Sequence, residues 1–263
     1  MESFAEFERR GWARRSSTYG DGFGAMTAGV HGTLLDAVGA GPGTRLLEVG
    51  CGTGRLAALA CGRGAATTAT DAVPEMVALA AAAAPAARVE QAVLPGLPHP
   101  DGVFDAAVGA FVLNHVPDPP AAAADLHRVL APGGRTALAC WDTLARNRAQ
   151  GVVFDAVRAV GGTPPTLPGP PPFARYASAD GLAGLLEDAG FRHVRVDHAR
   201  WTHRADPAGW WRDVLAGTVL TAALVEGRPP GETERIRQEY LRLAAPYAAD
   251  GFPVAALVVT GTR

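Results

Sequence analysis

Leu46-Leu47-Glu48-Val49-Gly50-Cys51-Gly52-Thr53-Gly54 constrains this 263-residue chain more than any other stretch. A short apolar run enters a glycine-rich turn, and apolar residues at helical spacing leave it, so the segment reads as strand, loop and helix. The glycines let the backbone turn tightly and let a ligand approach without meeting a Cβ. The helix start beyond them offers unpaired N–H groups. Taken alone, the loop leaves several readings open. Gly52-Thr53-Gly54-Arg55-Leu56-Ala57 also fits the G-x-G-x-x-A of dinucleotide-binding folds, with Asp71 where a ribose-binding acid stands in either case. A tight turn that holds no ligand fits as well.

Strand and helix signals alternate on both sides of this loop. Strands are predicted at residues 44–49, 66–70, 88–92, 104–110, 135–141, 191–196 and 254–260. Helices are predicted across most of residues 1–40, at 54–61, from Pro74 to a stop at Pro85, from the Asp118-Pro119 cap to Leu130, at 179–190 and near 232–243. The alanine run 80–84 reads as a bland helix surface, and the proline-rich stretch 163–172 as irregular. Such alternation implies a parallel sheet covered on both faces. One domain is expected: a helical lid (1–40), a ligand-binding core (41–142), two cap insertions (143–178 and 200–250) and a final strand (251–263).

Five blocks then occur in fixed order: LLEVGCGTGRLA (46–57), TDAVPEM (70–76), LPGLPHPDGVFD (94–105), FVLNHVPDP (111–119) and LAPGGR (130–135). In order and spacing they resemble the class I S-adenosylmethionine-dependent methyltransferases, particularly the branch of quinone C-methyltransferases and small-molecule methyltransferases. A weaker resemblance extends to Asp206-Pro207-Ala208-Gly209-Trp210-Trp211 and the last strand. The resemblance implies a Rossmann-like α/β fold with a seven-stranded, mostly parallel sheet in the order 3-2-1-4-5-7-6. The last strand would be antiparallel, with helical lid insertions above the strand ends.

The same resemblance implies the cofactor site. Gly50, Cys51 and Gly52 would lie against the methionine part of S-adenosyl-L-methionine, with Glu48 fixing the loop and the ammonium. Asp71, followed by Ala72, would accept hydrogen bonds from both ribose hydroxyls, a task suited to a carboxylate; a helix-capping acid is the alternative. Met76 would pack on adenine, although a methionine at this spacing also suits plain core. The acid that the family often carries after the third strand falls on Val93, leaving the backbone of Val93 and Leu94 to read adenine. Ala110 and Phe111 would complete the amino-acid end, and Trp12 and Tyr19 match an aromatic pair that closes over the cofactor.

Methyl transfer from a sulfonium needs an oriented nucleophile and a dry site, orientation being worth up to roughly 7–11 kcal/mol. A general base adds about 10²–10⁴-fold. His115 is the first candidate, with packing beneath the cofactor as its alternative; Asp142 is the second, with a turn or cap role as its alternative. His31, His198 and His203 are further candidates if loops bring them inward. Phe173, Tyr176, Trp201, Trp210 and Trp211 could line an acceptor pocket or form the cap's own core. No metal is expected, because the fourth strand ends in Gly109-Ala110 rather than an acid. Net charge is −2, so nothing points to nucleic acid; Arg9, Arg10, Arg14 and Arg15, interleaved with Glu2, Glu6 and Glu8, read as a solvated helix face. All 24 basic residues counted are arginine, which excludes a catalytic lysine. Cys51, Cys61 and Cys140 read as buried small residues in a reducing compartment. With no apolar leader or long apolar span, a cytoplasmic monomer or homodimer acting on a small molecule, in secondary metabolism, is expected. The alternatives are cyclisation or elimination around bound S-adenosylmethionine, and a non-catalytic ligand-binding protein.

Overall fold

A computed structural model describes residues 2–163 and 167–263. Pro164, Pro165 and Thr166, part of the stretch expected to be irregular, lie outside the described residues. The strands are β1 (Arg45–Val49), β2 (Ala66–Asp71), β3 (Arg88–Gln91), β4 (Phe104–Ala110), β5 (Leu130–Trp141), β6 (Arg192–His203) and β7 (Phe252–Thr262). They form one seven-stranded sheet in the order β3-β2-β1-β4-β5-β7-β6, as expected. The first five are parallel, and β7 runs antiparallel between β5 and β6.

The helices are α1 (Phe4–Tyr19), α2 (Phe23–Thr27), α3 (His31–Val38), α4 (Arg55–Gly62), α5 (Pro74–Ala83), α6 (Pro119–Val129), α7 (Arg148–Ala159), α8 (Ala179–Asp188), α9 (Pro207–Ala216), α10 (Leu220–Ala223) and α11 (Pro230–Ala244). Among the described residues none is long and apolar enough to cross a membrane. Consecutive strand residues face opposite ways, and β1 shows why both faces need cover. Leu46 packs with Leu34, Leu35 and Leu56 of α3 and α4, whereas Leu47 packs with Leu126 and Leu182 of α6 and α8. Both are fully buried, each contributing about 1.5–3 kcal/mol of apolar burial.

Four local expectations change. Strand β6 continues to His203, paired with β7 throughout, so residues 200–203 are sheet. Its polar edge residues, such as Arg195, Asp197 and Arg200, hide the strand from any count of apolar positions. Strand β5 begins at Leu130 opposite Phe104, and the ladder resumes at Arg135 opposite Ala106, with a register shift between. Ala80 is fully buried rather than surface, because a Cβ on Gly54 would lie 2.7 Å from its Cα. Ala80 of α5 and Gly54, which caps the start of α4, thus let the two helices approach closely.

The charged face of α1 also differs from a wholly solvated one. Glu8 and Arg15 are buried, Arg15 reaching Glu226 of the cap at 2.6 Å. Helix α1 lies against α5 and α9, and a Cβ on its Gly11 would sit 2.7 Å from Val219. That packing holds α1 above the C-terminal ends of the strands. Cys51 and Cys140 are buried, whereas Cys61 is partly exposed.

Candidate active site

The glycine loop leaves β1 with three left-handed residues, Gly50 (φ 69°), Gly52 (φ 52°) and Gly54 (φ 83°). Such values strain any residue with a Cβ, and on Gly50 that Cβ would lie 2.6 Å from Val112. The loop is tied to β2 twice. The Cys51 N–H donates to Thr70 O (2.9 Å), and the Gly52 N–H donates to Asp71 Oδ2 (2.9 Å). Asp71 Oδ1 accepts from the Val73 N–H (3.0 Å), so each oxygen keeps lone-pair capacity for a further donor. Burial raises the Asp71 pKa despite those two N–H groups. Beneath the loop, Glu48 is buried and its Oε2 has no hydrogen-bond partner. Burial first, and then the charge of Asp71, push its pKa well up. Two adjacent, desolvated carboxylates favour a ligand that brings positive charge and hydroxyl donors.

A cavity of about 620 Å³ opens over the strand ends, within the roughly 300–1,000 Å³ typical of small-molecule sites. Its floor at β1 and β2 includes Gly50, Gly52, Asp71, Ala72 and Met76; Val93 and Leu94 line it after β3, and Ala110 and Phe111 after β4. Trp12 and Tyr19 line it from α1, edge-on to each other with centroids 5.5 Å apart. Phe111 has φ 63°, a conformation costing about 1–3 kcal/mol in a residue with a side chain. Its N–H donates to Ala139 O (2.8 Å), and its ring stacks on Trp141 at 3.7 Å. The strained backbone therefore presents a flat aromatic wall at the centre of the strand row.

His115 also lines the cavity, in the short turn after β4, edge-on to Trp12 with centroids 5.2 Å apart. Its Nδ1 lies 2.7 Å from Glu8 Oε2, which also accepts from Trp12 Nε1 (2.9 Å). Glu8 Oε1 has no partner. With the Nδ1–H donated to Glu8, the other ring nitrogen is left as a proton acceptor. This carboxylate–imidazole pair is assembled from segments 107 positions apart.

A methyltransferase-domain family model matches residues 47–138. The chain is 30% identical over 245 residues to a malonyl-[acyl-carrier protein] O-methyltransferase of Serratia marcescens, with 92% of this chain and 89% of that protein covered. It belongs to the class I S-adenosylmethionine-dependent methyltransferases. An uncharacterized protein of Mycobacterium tuberculosis is 29% identical over 226 residues, covering 83% of this chain and 80% of that one. The YcgJ protein of Bacillus subtilis shares the fold with a TM-score of 0.58 at 19% identity, covering 89% of this chain and 97% of that one.

The donor set of the methyltransferase fits S-adenosylmethionine. The unpartnered Glu48 oxygen and the free lone pairs of Asp71 suit a cation and a diol, and the glycine cradle is one that a Cβ would fill. Among the described residues no group of three His, Cys, Asp or Glu side chains converges as a metal site would.

Other residues singled out in the sequence sit elsewhere. Glu48 and Cys51 lie behind the cavity wall rather than on it, and Asp142 is also not among the lining residues. The Asp142 carboxylate accepts from the Thr143 N–H (2.7 Å) and meets His198 Nδ1 (2.9 Å) and Arg146 (3.3 Å). Burial opposes its ionisation, but those three partners hold its pKa below the usual carboxylate value. A carboxylate so occupied is a turn anchor, not a base. His31 and His203 are likewise off the cavity; burial lowers both pKa values, that of His31 to about 4. Trp210 and Trp211 are cap core, with Trp210 Nε1 donating to Ala149 O (2.7 Å). Phe173 packs in the sheet core with Tyr176 against it, and Trp201 Nε1 donates to Met26 O (2.9 Å).

The far end of the cavity was not foreseen. It is lined by Phe23, Trp141, Phe154, Asn147, Gln150 and Thr221. Asn147 is fully buried, yet neither amide atom has a partner. An unsatisfied buried polar group costs about 1–3 kcal/mol. Glu8 carried a usable signal: Glu8, Trp12, Arg15 and Tyr19 are spaced 4-3-4, which places them on one face of α1.

Proposed function

We propose that this methyltransferase methylates a small, uncharged organic acceptor of the kind made in secondary metabolism, with His115 removing the acceptor's proton. The observation that carries this is the His115–Glu8 pair at 2.7 Å on the cavity wall, with the Trp12 ring edge-on to His115 at 5.2 Å. S-adenosylmethionine, when bound, would supply a sulfonium methyl group that a nucleophilic atom of the acceptor takes in line, the sulfur leaving with the C–S bonding pair as neutral S-adenosylhomocysteine. Asp71 would hold the cofactor's ribose, and Glu48, behind the glycine loop, would set the loop and the field that favours the ammonium; Met76 and the backbone at Val93 and Leu94 would meet its adenine. Trp12 and Tyr19 exclude water from above. Glu8 keeps the His115 proton on Nδ1, and the other ring nitrogen takes the proton from the acceptor's hydroxyl or amine. After turnover that proton leaves to solvent by the cavity mouth.

The Serratia relative's name specifies a malonyl substrate, which carries a carboxylate. In this chain the only cationic side chain on the cavity wall, among the described residues, is Arg9, and it is exposed at the rim. That distribution favours an uncharged acceptor and offers no basic stripe for nucleic acid. His115→Gln is expected to lower kcat about 10²–10⁴-fold, read as S-adenosylhomocysteine formed, while S-adenosylhomocysteine affinity stays unchanged. Undiminished turnover in that variant would remove His115 from the chemistry.

A further inference from the structure

We propose that Asn147 is the specificity-determining residue of the acceptor site, and that it selects a flat, uncharged acceptor bearing a cyclic-amide edge. Such an edge places an N–H beside a C=O. The inference rests on the small-molecule reading above and adds to it the shape and hydrogen-bonding pattern of the molecule.

Asn147 stands at the N-cap of α7, a position where asparagine ordinarily bonds the helix's own free N–H groups. Here its side chain makes no such bond. Asn147 is among the residues lining the cavity and is fully buried, with Oδ1 and Nδ2 both unpartnered. The backbone cannot yield to relieve this. The Asn147 N–H donates to Thr143 O and its carbonyl accepts from Gly151 N–H, both at 2.9 Å. Gly151 is pressed so closely on the preceding loop that a Cβ there would lie 2.2 Å from Leu144 O. The loop and the helix start are clamped together at the cavity wall, so a backbone shift cannot bring the amide a partner.

The surroundings define what can satisfy it. Gln150, one turn on, already pairs with Thr221 Oγ1 (3.2 Å), so half of that amide is taken. Trp141 and Phe154 give flat apolar walls, and among the described residues no ionised side chain lines this end. A primary amide with both halves free presents one donor and one acceptor side by side. Its complement is an edge with one acceptor and one donor in the same plane, carried on an aromatic ring that the walls can stack. A charged acceptor would meet no counter-charge here.

The test uses the full-length enzyme saturated with S-adenosylhomocysteine and three probes: 7-hydroxy-2-quinolone, its N-methyl derivative, and 2-naphthol. The first has the whole edge, the second lacks the donor, and the third lacks both groups. Calorimetry on the wild type should show the quinolone binding at least ~10-fold tighter than either of the others. Asn147→Leu should bring the three within about 2-fold by weakening the quinolone alone. The same substitution should leave Tm unchanged or raise it, since it removes an unsatisfied buried amide; a structural cap would give a lower Tm. Asn147→Asp, close in shape, serves if the leucine variant does not fold: it keeps the acceptor but loses the donor, so it should bind the quinolone at least ~10-fold more weakly than wild type does. Equal wild-type affinity for all three probes would overturn the role of Asn147 while leaving small-molecule methylation standing. No binding of any probe to an enzyme that binds S-adenosylhomocysteine would overturn both.

Discussion

His31 shows how a candidate base becomes a stability determinant once its surroundings are known. It is buried at the start of α3, and burial, followed by the nearby Arg55, lowers its pKa from 6.5 to about 4. The unfolded chain therefore binds more protons than the folded one between those values, and stability falls as pH drops through that window. The whole shift corresponds to about 3 kcal/mol. Glu48 and Asp71, with raised pKa values, act in the opposite sense, so the difference between two variants isolates His31. Urea unfolding at pH 7.5 and pH 5 should show wild type losing about 2 kcal/mol more than His31→Leu. Parallel losses would show that His31 titrates normally. Position alone could not separate His31 from His115; the difference is which of them a distant carboxylate meets, and Glu8 reaches only His115.

Elements whose position follows from local chemistry agree with the sequence to within a residue or two. The Asp118 cap, with its Oδ1 accepting from the Ala121 N–H at 3.1 Å, opens α6 where Asp118-Pro119 predicts. Elements whose length depends on partners do not agree. Strand β6 extends past residue 196 because β7 pairs with it, and the buried stripe of α5 exists because Gly54 lies against it. Gly54→Ala should accordingly cost roughly 2–4 kcal/mol, from a left-handed φ and from overpacking against Ala80. Gly62→Ala, where a Cβ would meet nothing within 4 Å, should be neutral or stabilising by up to about 1 kcal/mol. Denaturation midpoints for the pair check this, and equal effects would mean that α4 and α5 can move apart freely.

The molecule as a whole is one sheet whose strand ends divide a cavity between two tasks. The end over β1, β2 and β3 could be read from the glycine loop and Asp71, because its chemistry is carried by contiguous motifs. The end over β5 could not, because Phe23, the stretch from Trp141 to Gln150, and Thr221 come from three separate segments that only the cap's packing brings together. Glu8 is intermediate: its helix face was readable, but its burial and its partner were not. We propose that the loop and Asp71 hold S-adenosylmethionine in this cavity. The most direct measurement is the thermal shift produced by S-adenosylhomocysteine on wild type and on Asp71→Ala, with NAD as the control. A ligand at a hundred times its Kd stabilises by about 2.7 kcal/mol. Wild type should show a clear shift, Asp71→Ala an affinity at least ~10-fold weaker, and NAD should give no shift. Equal shifts for the two proteins, or none for wild type at millimolar ligand, would contradict that proposal.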